Sequence, residues 1–565
     1  MLGKSDFSDT FLVTEVELRT DYCLWYNPLM HPTRLLPSAF RVLLIVFLLS
    51  ACGTATESPT PTAVAYNPFV PLDGNTTVNV PPPANETILP GQPTPTEMPF
   101  IVPTAIPLDQ LLPTARPAGM PIYTPTPDAP RVLPTQRTDA DQYVVQPGDT
   151  LGSIAQSYGV GLEALMQANG LIDANVLEVG QTLVIPVPEA GAVGSSFKVI
   201  PDSELVYGPA SALFDVEQFI KERNGYLASF GQDVNGEYMS AAQIIELVAQ
   251  NYSVNPRLLL ALIEHRSGWV NSATPFQTDY ALSIADPSRF GLYLQLTYAA
   301  NELNRGYYLW RANAVSTWVL SDGAVVPIDA GINAGTAGVQ NLFSKLDDRV
   351  TWTTDVDVFG LYQTYFFLFG SPFDLAVDPV IPDWLHQPRL ALPFERDVTW
   401  VYTGGPHGAW ADGSAWAALD FAPVADVHGC FQTDYWVTAL TDGVIIRTGD
   451  GQVVQDIDGD GYEQTGWVIL YMHVETRDRV EPGTRVKGGD RIGHPSCEGG
   501  ASNATHLHLA RKYNGEWINA DGHIPFVLDG WTASSAGVEY DGYLTRGEAK
   551  LEALEGISEL NMIAR

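Results

Sequence analysis

Basic residues are scarce in this sequence. Its 565 residues include 30 lysines and arginines against 65 aspartates and glutamates, a formal net charge of −35 at pH 7. This balance disfavours nucleic-acid binding, which depends on neutralising phosphates, and it disfavours adhesion to anionic lipid through a basic patch. A chain of this length is too long for one hydrophobic core, so several domains are expected.

Cysteine is also rare, and no serine lies in a nucleophile-elbow context. The four cysteines, Cys23, Cys52, Cys430 and Cys497, are too few for a disulfide scaffold. A Ser-His-Asp hydrolase therefore has little support. Histidine, by contrast, is concentrated, because seven of the ten histidines lie between His407 and His523. Metal or acid–base chemistry is expected in that region.

The N-terminal segment contains an apolar run at residues 42–49, behind Arg34 and Arg41. The run is shorter than the roughly 20 residues of a membrane-spanning helix and is typical of a signal-peptide core. It ends in Leu-Ser-Ala-Cys52, which resembles a bacterial lipobox. The resemblance implies cleavage before Cys52 and a lipid anchor on its sulfur; an ordinary secretion signal is the alternative. Residues 1–52 are interpreted as an upstream segment and signal peptide. Met30 makes a better start of a signal peptide than Met1, so we interpret residues 1–29 as an over-extended gene start.

Residues 53–140 are rich in proline and threonine. Twenty of the 42 prolines fall between Pro59 and Pro134. Proline removes backbone donors and favours extended polyproline-II geometry, so a stiff, disordered spacer is predicted. The spacer would hold the later domains away from the membrane.

Residues 141–188 predict the order strand, helix, helix, strand. The segment resembles a LysM domain, most clearly in Gln142-Tyr-Val-Val-Gln-Pro-Gly-Asp-Thr-Leu151 and Val179-Gly-Gln-Thr-Leu-Val-Ile-Pro186. The resemblance implies binding of N-acetylglucosamine-containing chains such as peptidoglycan; a retained fold without useful affinity is the alternative. The glycan-binding cleft is expected at Gly148, Asp149, Thr150, Leu151, Leu171 and Ile172.

Residues 199–388 predict a helical domain. A buried helix is expected from Asn255 as N-cap and Pro256 at the first helical position. The succession of helices resembles lysozyme-like lytic transglycosylases, whose catalytic glutamate precedes Ser-Gly. Here Arg266 stands at that place, and arginine cannot donate a proton at neutral pH. A non-catalytic glycan-binding or spacer domain is therefore favoured; an active muramidase and an unrelated domain are the alternatives.

Residues 390–533 predict a β domain with three candidate metal ligands. In the stretch around Asp420, Leu419 and Phe421 are expected to face the core and Asp420 to face away. His506 and His508 share one face if their segment is a strand. His407 comes from a loop. The residues His407, Asp420 and His508 form a three-ligand set that leaves a fourth position for water, as zinc enzymes require.

A fourth histidine is expected nearby. In residues 468–474 the even-numbered positions are apolar, so Tyr471 and His473 are predicted to share the other face. His473 can then converge with His506 near the metal without binding it.

This region resembles the LytM/lysostaphin-like zinc endopeptidases, the beta-lytic metallopeptidase family, through His506-Leu-His508 and residues 486–493. The family's usual His-x-Gly-x-Asp motif is replaced here by Trp416-Ala-Ala-Leu-Asp420. His407 instead resembles the earlier histidine of the beta-lytic and staphylolysin branch. His428 is the alternative to His407 as a metal ligand. The resemblance implies zinc-assisted amide hydrolysis, in which His473 and His506 orient water, move a proton or stabilise the oxyanion.

Three further features of the sequence lead to predictions. Cys430 and Cys497 are candidates for a disulfide in an exported domain, with two free thiols as the alternative. Asp456, Asp458 and Asp460 resemble the first half of a calcium loop, but Trp467 stands at its twelfth position, so an acidic hairpin is favoured and Ca²⁺ binding is the alternative. Residues 534–565 predict a tail that is helical from Gly547.

The sequence as a whole predicts a multidomain α+β protein. It is interpreted as an extracytoplasmic zinc metalloendopeptidase of the bacterial cell envelope, lipid-anchored to the membrane and held on peptidoglycan by its LysM domain. The peptide stems or cross-bridges of peptidoglycan would be its substrate. The alternatives are a non-catalytic peptidoglycan-binding protein or hydrolase activator, and a muramidase acting through the helical domain.

Overall fold

The computed structural model describes residues 131–135, 137–189 and 191–565. The expected signal peptide, lipidation at Cys52 and nearly all of the Pro/Thr-rich spacer lie outside these residues. Among the described residues, no helix has both the length and the apolar character needed to cross a membrane.

The first domain has the predicted βααβ order. Its elements are β1 (Asp141–Val144), α1 (Leu151–Ser157), α2 (Leu162–Ala168) and β2 (Thr182–Ile185), with the two strands antiparallel. Thr150 caps α1 because its hydroxyl accepts from the Ser153 amide, and the Ser153 side chain returns the bond. The small core includes Leu151, which is fully buried.

The helical domain follows, with two short hairpins between its helices. Its helices are α3 (Asp202–Leu205), α4 (Val216–Arg223), α5 (Ala241–Tyr252), α6 (Pro256–Ser267), α7 (Leu292–Arg311), α8 (Ala334–Leu346), α9 (Arg349–Asp355) and α10 (Leu361–Phe369). Its hairpins are β3 (Gly231–Val234) with β4 (Glu237–Ser240), and β5 (Thr317–Val319) with β6 (Val325–Pro327). The buried helix α6 begins at the Asn255 cap with Pro256 first, as its sequence predicts.

The side chains at the end of α6 make structural contacts. Arg266 lies 2.8 Å from Asp347 and 3.2 Å from Asp355. Glu264 accepts hydrogen bonds from the backbone amides of Val270 and Asn271. Arg266 and Glu264 therefore help to hold the loop and helices around α6.

The C-terminal domain is an antiparallel β structure. Its strands are β7 (Thr399–His407), β8 (Ala418–Pro423), β9 (Val437–Thr438), β10 (Gly443–Gly449), β11 (Gln452–Asp456), β12 (Trp467–Met472), β13 (Arg485–Val486), β14 (Arg491–Gly493), β15 (Leu507–Tyr513), β16 (Glu516–Trp517), β17 (Val527–Leu528), β18 (Trp531–Ser535), β19 (Gly542–Arg546), β20 (Ala549–Glu552) and β21 (Met562–Ala564). The main sheet has the order β13-β10-β11-β12-β15-β8-β7-β21, with β16 also paired to β15. The predicted disulfide between Cys430 and Cys497 is present.

The two faces of this sheet are covered differently. Leu419, Phe421, Leu507 and Leu509 are fully buried in the core of the β domain. On the other face, Ala418, Val468, Leu470 and Ala510 belong to the hydrophobic core of the helical domain. The alternation of side chains along a strand places Asp420 and His508 on this second face. The helical domain therefore packs on the face of the sheet that carries these candidate ligands.

Buried polar groups join the two domains at the same interface. Glu463 accepts from Arg447 at 3.0 Å and from Lys512 at 2.7 Å. Gln452 donates to Asn251 of α5 at 3.2 Å. Burial by itself raises the pKa of Glu463, but the charges of Arg447 and Lys512 outweigh burial and lower that pKa to about 2. The carboxylate thus stays charged at neutral pH and pairs with the buried Lys512 and the partly buried Arg447.

The C-terminal tail corrects the sequence prediction. Residues from Gly547 onward form strands instead of a helix: β20 pairs with β19, and β21 pairs with β7 at the edge of the main sheet. Gly547 makes the turn with φ +60°. The alternation around Leu551, which is buried between two more exposed neighbours, has the period of a strand.

The acidic loop has carboxylates close together. Candidate oxygens of Asp456, Asp458 and Asp460 lie within 4.8 Å of one another. Asp456 accepts from the amides of Gly459 and Gly461. Burial and the neighbouring carboxylates raise the pKa of Asp458 to about 8. These contacts agree with an acidic turn, and calcium binding stays a prediction.

Candidate metal centre

Three neighbouring strands bring the predicted ligands together. His508 on β15 lies directly opposite Asp420 on β8, and Asp420 is also opposite Gly404 on β7, the strand that ends at His407. Gly404 makes room for the carboxylate, since a Cβ there would lie 2.6 Å from Asp420 Oδ2.

The three candidate ligand atoms converge on one point. His407 Nε2 lies 2.9 Å from His508 Nδ1 and 3.2 Å from Asp420 Oδ1, and His508 Nδ1 lies 3.3 Å from Asp420 Oδ1. Tetrahedral zinc at its usual 2.0–2.1 Å holds its ligands about 3.3 Å apart, so this spacing fits. His428 lines the same groove but is outside this set.

The outer nitrogens of both imidazoles are held by backbone carbonyls. His407 Nδ1 donates to Gly405 O at 2.8 Å, and His508 Nε2 donates to Ala409 O at 3.0 Å. A carbonyl can only accept, so in the neutral rings the inner nitrogens carry lone pairs. Among the described residues, no donor forms a hydrogen bond to the buried Asp420 Oδ1. Two lone pairs and a carboxylate oxygen directed at one point fit a bound cation such as Zn²⁺.

His473 and His506 lie beside this set. Their ring centroids are 4.5 Å apart, and His506 Nε2 is 3.9 Å from Asp420 Oδ2. His473 Nδ1 donates to Glu498 O, and His506 Nδ1 donates to Ala504 O. Each ring therefore bonds a carbonyl through Nδ1 and, within the described residues, makes no hydrogen bond through Nε2; both residues line the groove.

The expected orientation of His473 was wrong in one respect. Tyr471, with which it was predicted to share a face, is buried in the β core, and its hydroxyl donates to Gln455 at 2.6 Å. Strand β12 ends at Met472, and His473 adopts φ +66°, the left-handed region. This turn breaks the alternation and brings the ring to the side of Asp420. Such strained backbone is common at functional sites.

Burial and neighbouring charges shift the pKa values of the histidines and of Asp420 in different directions. Burial lowers the pKa of His473 to about 4, helped by His506 and His508. Burial also lowers the pKa of His508. For His407 burial opposes protonation, but Asp420 outweighs it and raises the pKa. Burial would raise the pKa of Asp420, yet His407 and His506 hold it well below its usual value. At neutral pH, His473 is neutral and Asp420 is a carboxylate.

The groove over these residues has a volume of about 1080 Å³ and includes residues that the sequence did not indicate. Tyr540 stacks on His407 with ring centroids 4.2 Å apart, and Glu539 accepts from the Gly408 amide. Tyr540 has φ +67°. Burial, with Asp420 and Glu539, raises the pKa of Tyr540 to about 12, so its hydroxyl keeps its proton. No local motif marks these residues, because they reach the site from the segment taken for a tail.

The expected glycan-binding residues differ in their accessibility. Ile172 is 99% exposed, and Gly148 has open space around its Cα at φ +94°. Asp149 accepts from the Tyr143 hydroxyl and the Gln146 amide. Leu151 corrects the expectation, since its side chain is fully buried at the start of α1 and cannot contact a glycan.

Three family models match segments of the chain. They are the LysM domain over residues 143–186, the N-terminal domain of LasA over residues 198–381, and peptidase family M23 over residues 429–520. The M23 match begins after His407 and Asp420, so these two ligand candidates rest on the geometry alone. The helical domain thus matches the LasA model, and its resemblance to transglycosylases stays a prediction.

Individual proteins also match parts of the chain. N-acetylmuramoyl-L-alanine amidase XlyA of Bacillus subtilis (strain 168) is 46% identical over 48 residues, which are 8% of this chain and only 16% of that protein. Among solved structures, the M23 metalloprotease pseudoalterin from the deep sea is 21% identical, covering 32% of this chain and 99% of its own, with a TM-score of 0.26. The catalytic domain of lysostaphin from Staphylococcus simulans is 24% identical, covering 22% and 90%, with a TM-score of 0.16.

Proposed function

From the LysM domain and the M23 peptidase domain that this chain carries, we propose that it is a zinc-dependent endopeptidase that hydrolyses peptide bonds of peptidoglycan. The observation that carries this proposal is the convergence of His407 Nε2, His508 Nδ1 and the donor-free Asp420 Oδ1. Two neutral imidazoles and one carboxylate, with a fourth position open to the groove, are a ligand set of zinc hydrolases.

His407, Asp420 and His508 would hold the cation, and their carbonyl partners Gly405 and Ala409 orient the two rings. When bound, zinc supplies a Lewis acid that activates water and polarises the scissile carbonyl.

His473 and His506 supply the proton chemistry in this proposal. Each has Nδ1 fixed on a carbonyl, which leaves Nε2 for the proton chemistry. An unprotonated Nε2 can accept a hydrogen bond from an attacking water, and a protonated one can stabilise the developing oxyanion. The low pKa of His473 keeps it in the accepting form at neutral pH. Tyr540, with its proton retained, adds a hydroxyl donor to the groove wall.

The LysM domain would hold the enzyme on the glycan chains while the groove takes the peptide. The exposed Ile172 and the open turn at Gly148 leave the expected cleft accessible. We place the protein in the bacterial cell envelope, outside the cytoplasm, and propose a lipid anchor at Cys52 on the strength of its sequence alone.

Digestion of purified cell wall tests this function. The full chain with zinc should release peptide fragments with new amino and carboxyl termini, and a chelator should stop the release. Binding to wall without cleavage would favour the non-catalytic binding protein or hydrolase activator. New glycan ends that survive the chelator would favour a muramidase in the helical domain.

A further inference from the structure

The loop between β7 and β8, residues 408–417, is connected to all three candidate ligands; we refer to it as the ligand loop. His407 immediately precedes it, and Asp420 follows it on β8. Its residue Ala409 offers the carbonyl that accepts from His508 Nε2 at 3.0 Å. The position of this loop therefore affects the orientation of the whole set.

The tip of the ligand loop is held by helix α7 of the helical domain. Asn301 makes two bonds: its amide donates to Asp412 Oδ1 at 2.8 Å, and its Oδ1 accepts from the Gly413 amide at 2.9 Å. Arg305, one turn further along α7, pairs with Asp412 Oδ2 at 2.8 Å. The backbones are also in contact, since a Cβ on Gly413 would lie 2.1 Å from the Asn301 carbonyl oxygen.

The rest of the ligand loop packs into the helical domain. Ala409 and Ala415 are at most 1% exposed and belong to the hydrophobic core of that domain. Trp410 contacts Tyr252 of α5 edge-on, with ring centroids 6.3 Å apart. These contacts anchor the loop along its length and not only at its tip.

Hydrogen bonds inside the ligand loop connect its tip to Ala409. The Ala409 amide donates to Ala415 O at 3.0 Å, and the Trp410 amide donates to Ser414 Oγ at 2.9 Å. Ser414 Oγ in turn donates to Ala411 O at 2.9 Å. A displacement at Asp412 and Gly413 is therefore passed to the carbonyl that faces His508.

We infer that the helical domain positions the metal centre: Asn301 of α7 holds the ligand loop so that the Ala409 carbonyl keeps the proton of His508 on Nε2 and leaves Nδ1 free as a ligand. This inference rests on the proposed zinc function. Asn301 touches neither metal nor substrate and is a positioning residue. The helical domain thereby gains a role in building the catalytic site, beyond binding glycan or acting as a spacer.

The test is the zinc affinity of the full chain, measured by competition with a chelator. Asn301→Ala should weaken zinc binding about tenfold, the low end of what partners of metal ligands contribute. It should also change the visible spectrum of the cobalt-substituted protein. The double exchange Asn301→Asp with Asp412→Asn reverses the polarity of their hydrogen bond and should recover most of the affinity.

Gln295→Ala is the matched control. It removes a buried amide side chain from the same helix, one that donates to the Ile284 and Arg289 carbonyls at 2.9 and 2.8 Å and makes no contact with the ligand loop. It should lower the stability of the fold while leaving zinc affinity unchanged. The inference is overturned if Asn301→Ala binds zinc as tightly as the parent chain, or if Gln295→Ala weakens binding equally.

A metal-free measurement separates this inference from the proposed function. If the parent chain binds no zinc, the proposed function fails, and amide hydrogen exchange then decides the inference. Faster exchange at Ala409 and Gly413 in Asn301→Ala, relative to Gln295→Ala, would support the positioning role of α7. Equal exchange rates would refute it.

Discussion

Replacing Asp420 by asparagine is expected to have opposite effects on metal binding and on the stability of the metal-free protein. The change removes the anion of the ligand set while keeping its shape. The new amide can donate to His407 Nε2 and His508 Nδ1, which lie 3.2 and 3.3 Å from Asp420 Oδ1. These hydrogen bonds satisfy the lone pairs of the two imidazoles, which in the parent chain face a carboxylate. One net hydrogen bond stabilises the folded protein by about 1 kcal/mol.

The magnitudes can be read from thermal unfolding at pH 8 with chelator and with zinc. In the parent chain, zinc at about 100 times its Kd should add about 3 kcal/mol, or roughly 5–10 °C in Tm. Asp420→Asn should lose that increase and be at least as stable as the parent in chelator. Zinc affinity should fall by more than the roughly 100-fold that the loss of an outer partner can cost.

Asp442→Asn is the control for this experiment. Asp442 accepts from the Gly488 amide and does not line the groove, so its replacement should leave the zinc response unchanged. The reasoning is refuted if Asp420→Asn is several kcal/mol less stable in chelator and still gains stability from zinc. Asp420 would then be a structural hydrogen-bond acceptor.

Three further predictions concern other parts of the chain. His473→Gln should lower the rate of wall hydrolysis by about 10²–10⁴-fold while the protein keeps its zinc, measured by fragment release and metal analysis; loss of zinc would make His473 a ligand. The free energy of unfolding should fall by about 3 kcal/mol as pH decreases from about 4.5 to 2, because Glu463 binds a proton in the unfolded chain but stays ionised in the folded one, where its pKa is about 2. In a series of urea-unfolding measurements over this pH range, Glu463→Gln should make the free energy less dependent on pH. An unchanged pH dependence would contradict this role of Glu463. Cys430→Ser should cost about 4 kcal/mol in the same assay, since the disulfide closes a loop of sequence separation 67; a cost near zero would mean that the loop is ordered without it.

The local pattern of the sequence was sufficient for the elements with clear periodicity. The capped start of α6 at Asn255 follows from short-range rules, and so does the burial of Leu419 and Phe421 on either side of Asp420. The His506–His508 pair lies, as expected, at the start of a strand whose leucines face the core.

The failures come from long-range packing and from backbone conformations that no pattern encodes. The left-handed turn at His473 breaks the alternation on which its orientation was predicted. Tyr540 and Glu539 reach the groove because their segment is hydrogen-bonded to the end of β7, a contact between distant parts of the chain: the Gly405 amide donates to Tyr540 O at 2.6 Å, and the Tyr540 amide donates to Pro406 O at 3.3 Å. Ala418 and Ala510 are small enough for a helical domain to pack on the ligand face, but their sequence context does not show it.

The most direct test of the central claim is the position of the metal itself. A crystal of the zinc-loaded protein, measured at the zinc absorption edge, should show one anomalous peak about 2.0–2.1 Å from His407 Nε2, His508 Nδ1 and Asp420 Oδ1. A zinc-loaded crystal with no peak between these three atoms, or with zinc bound only at the acidic loop around Asp458, would contradict the account.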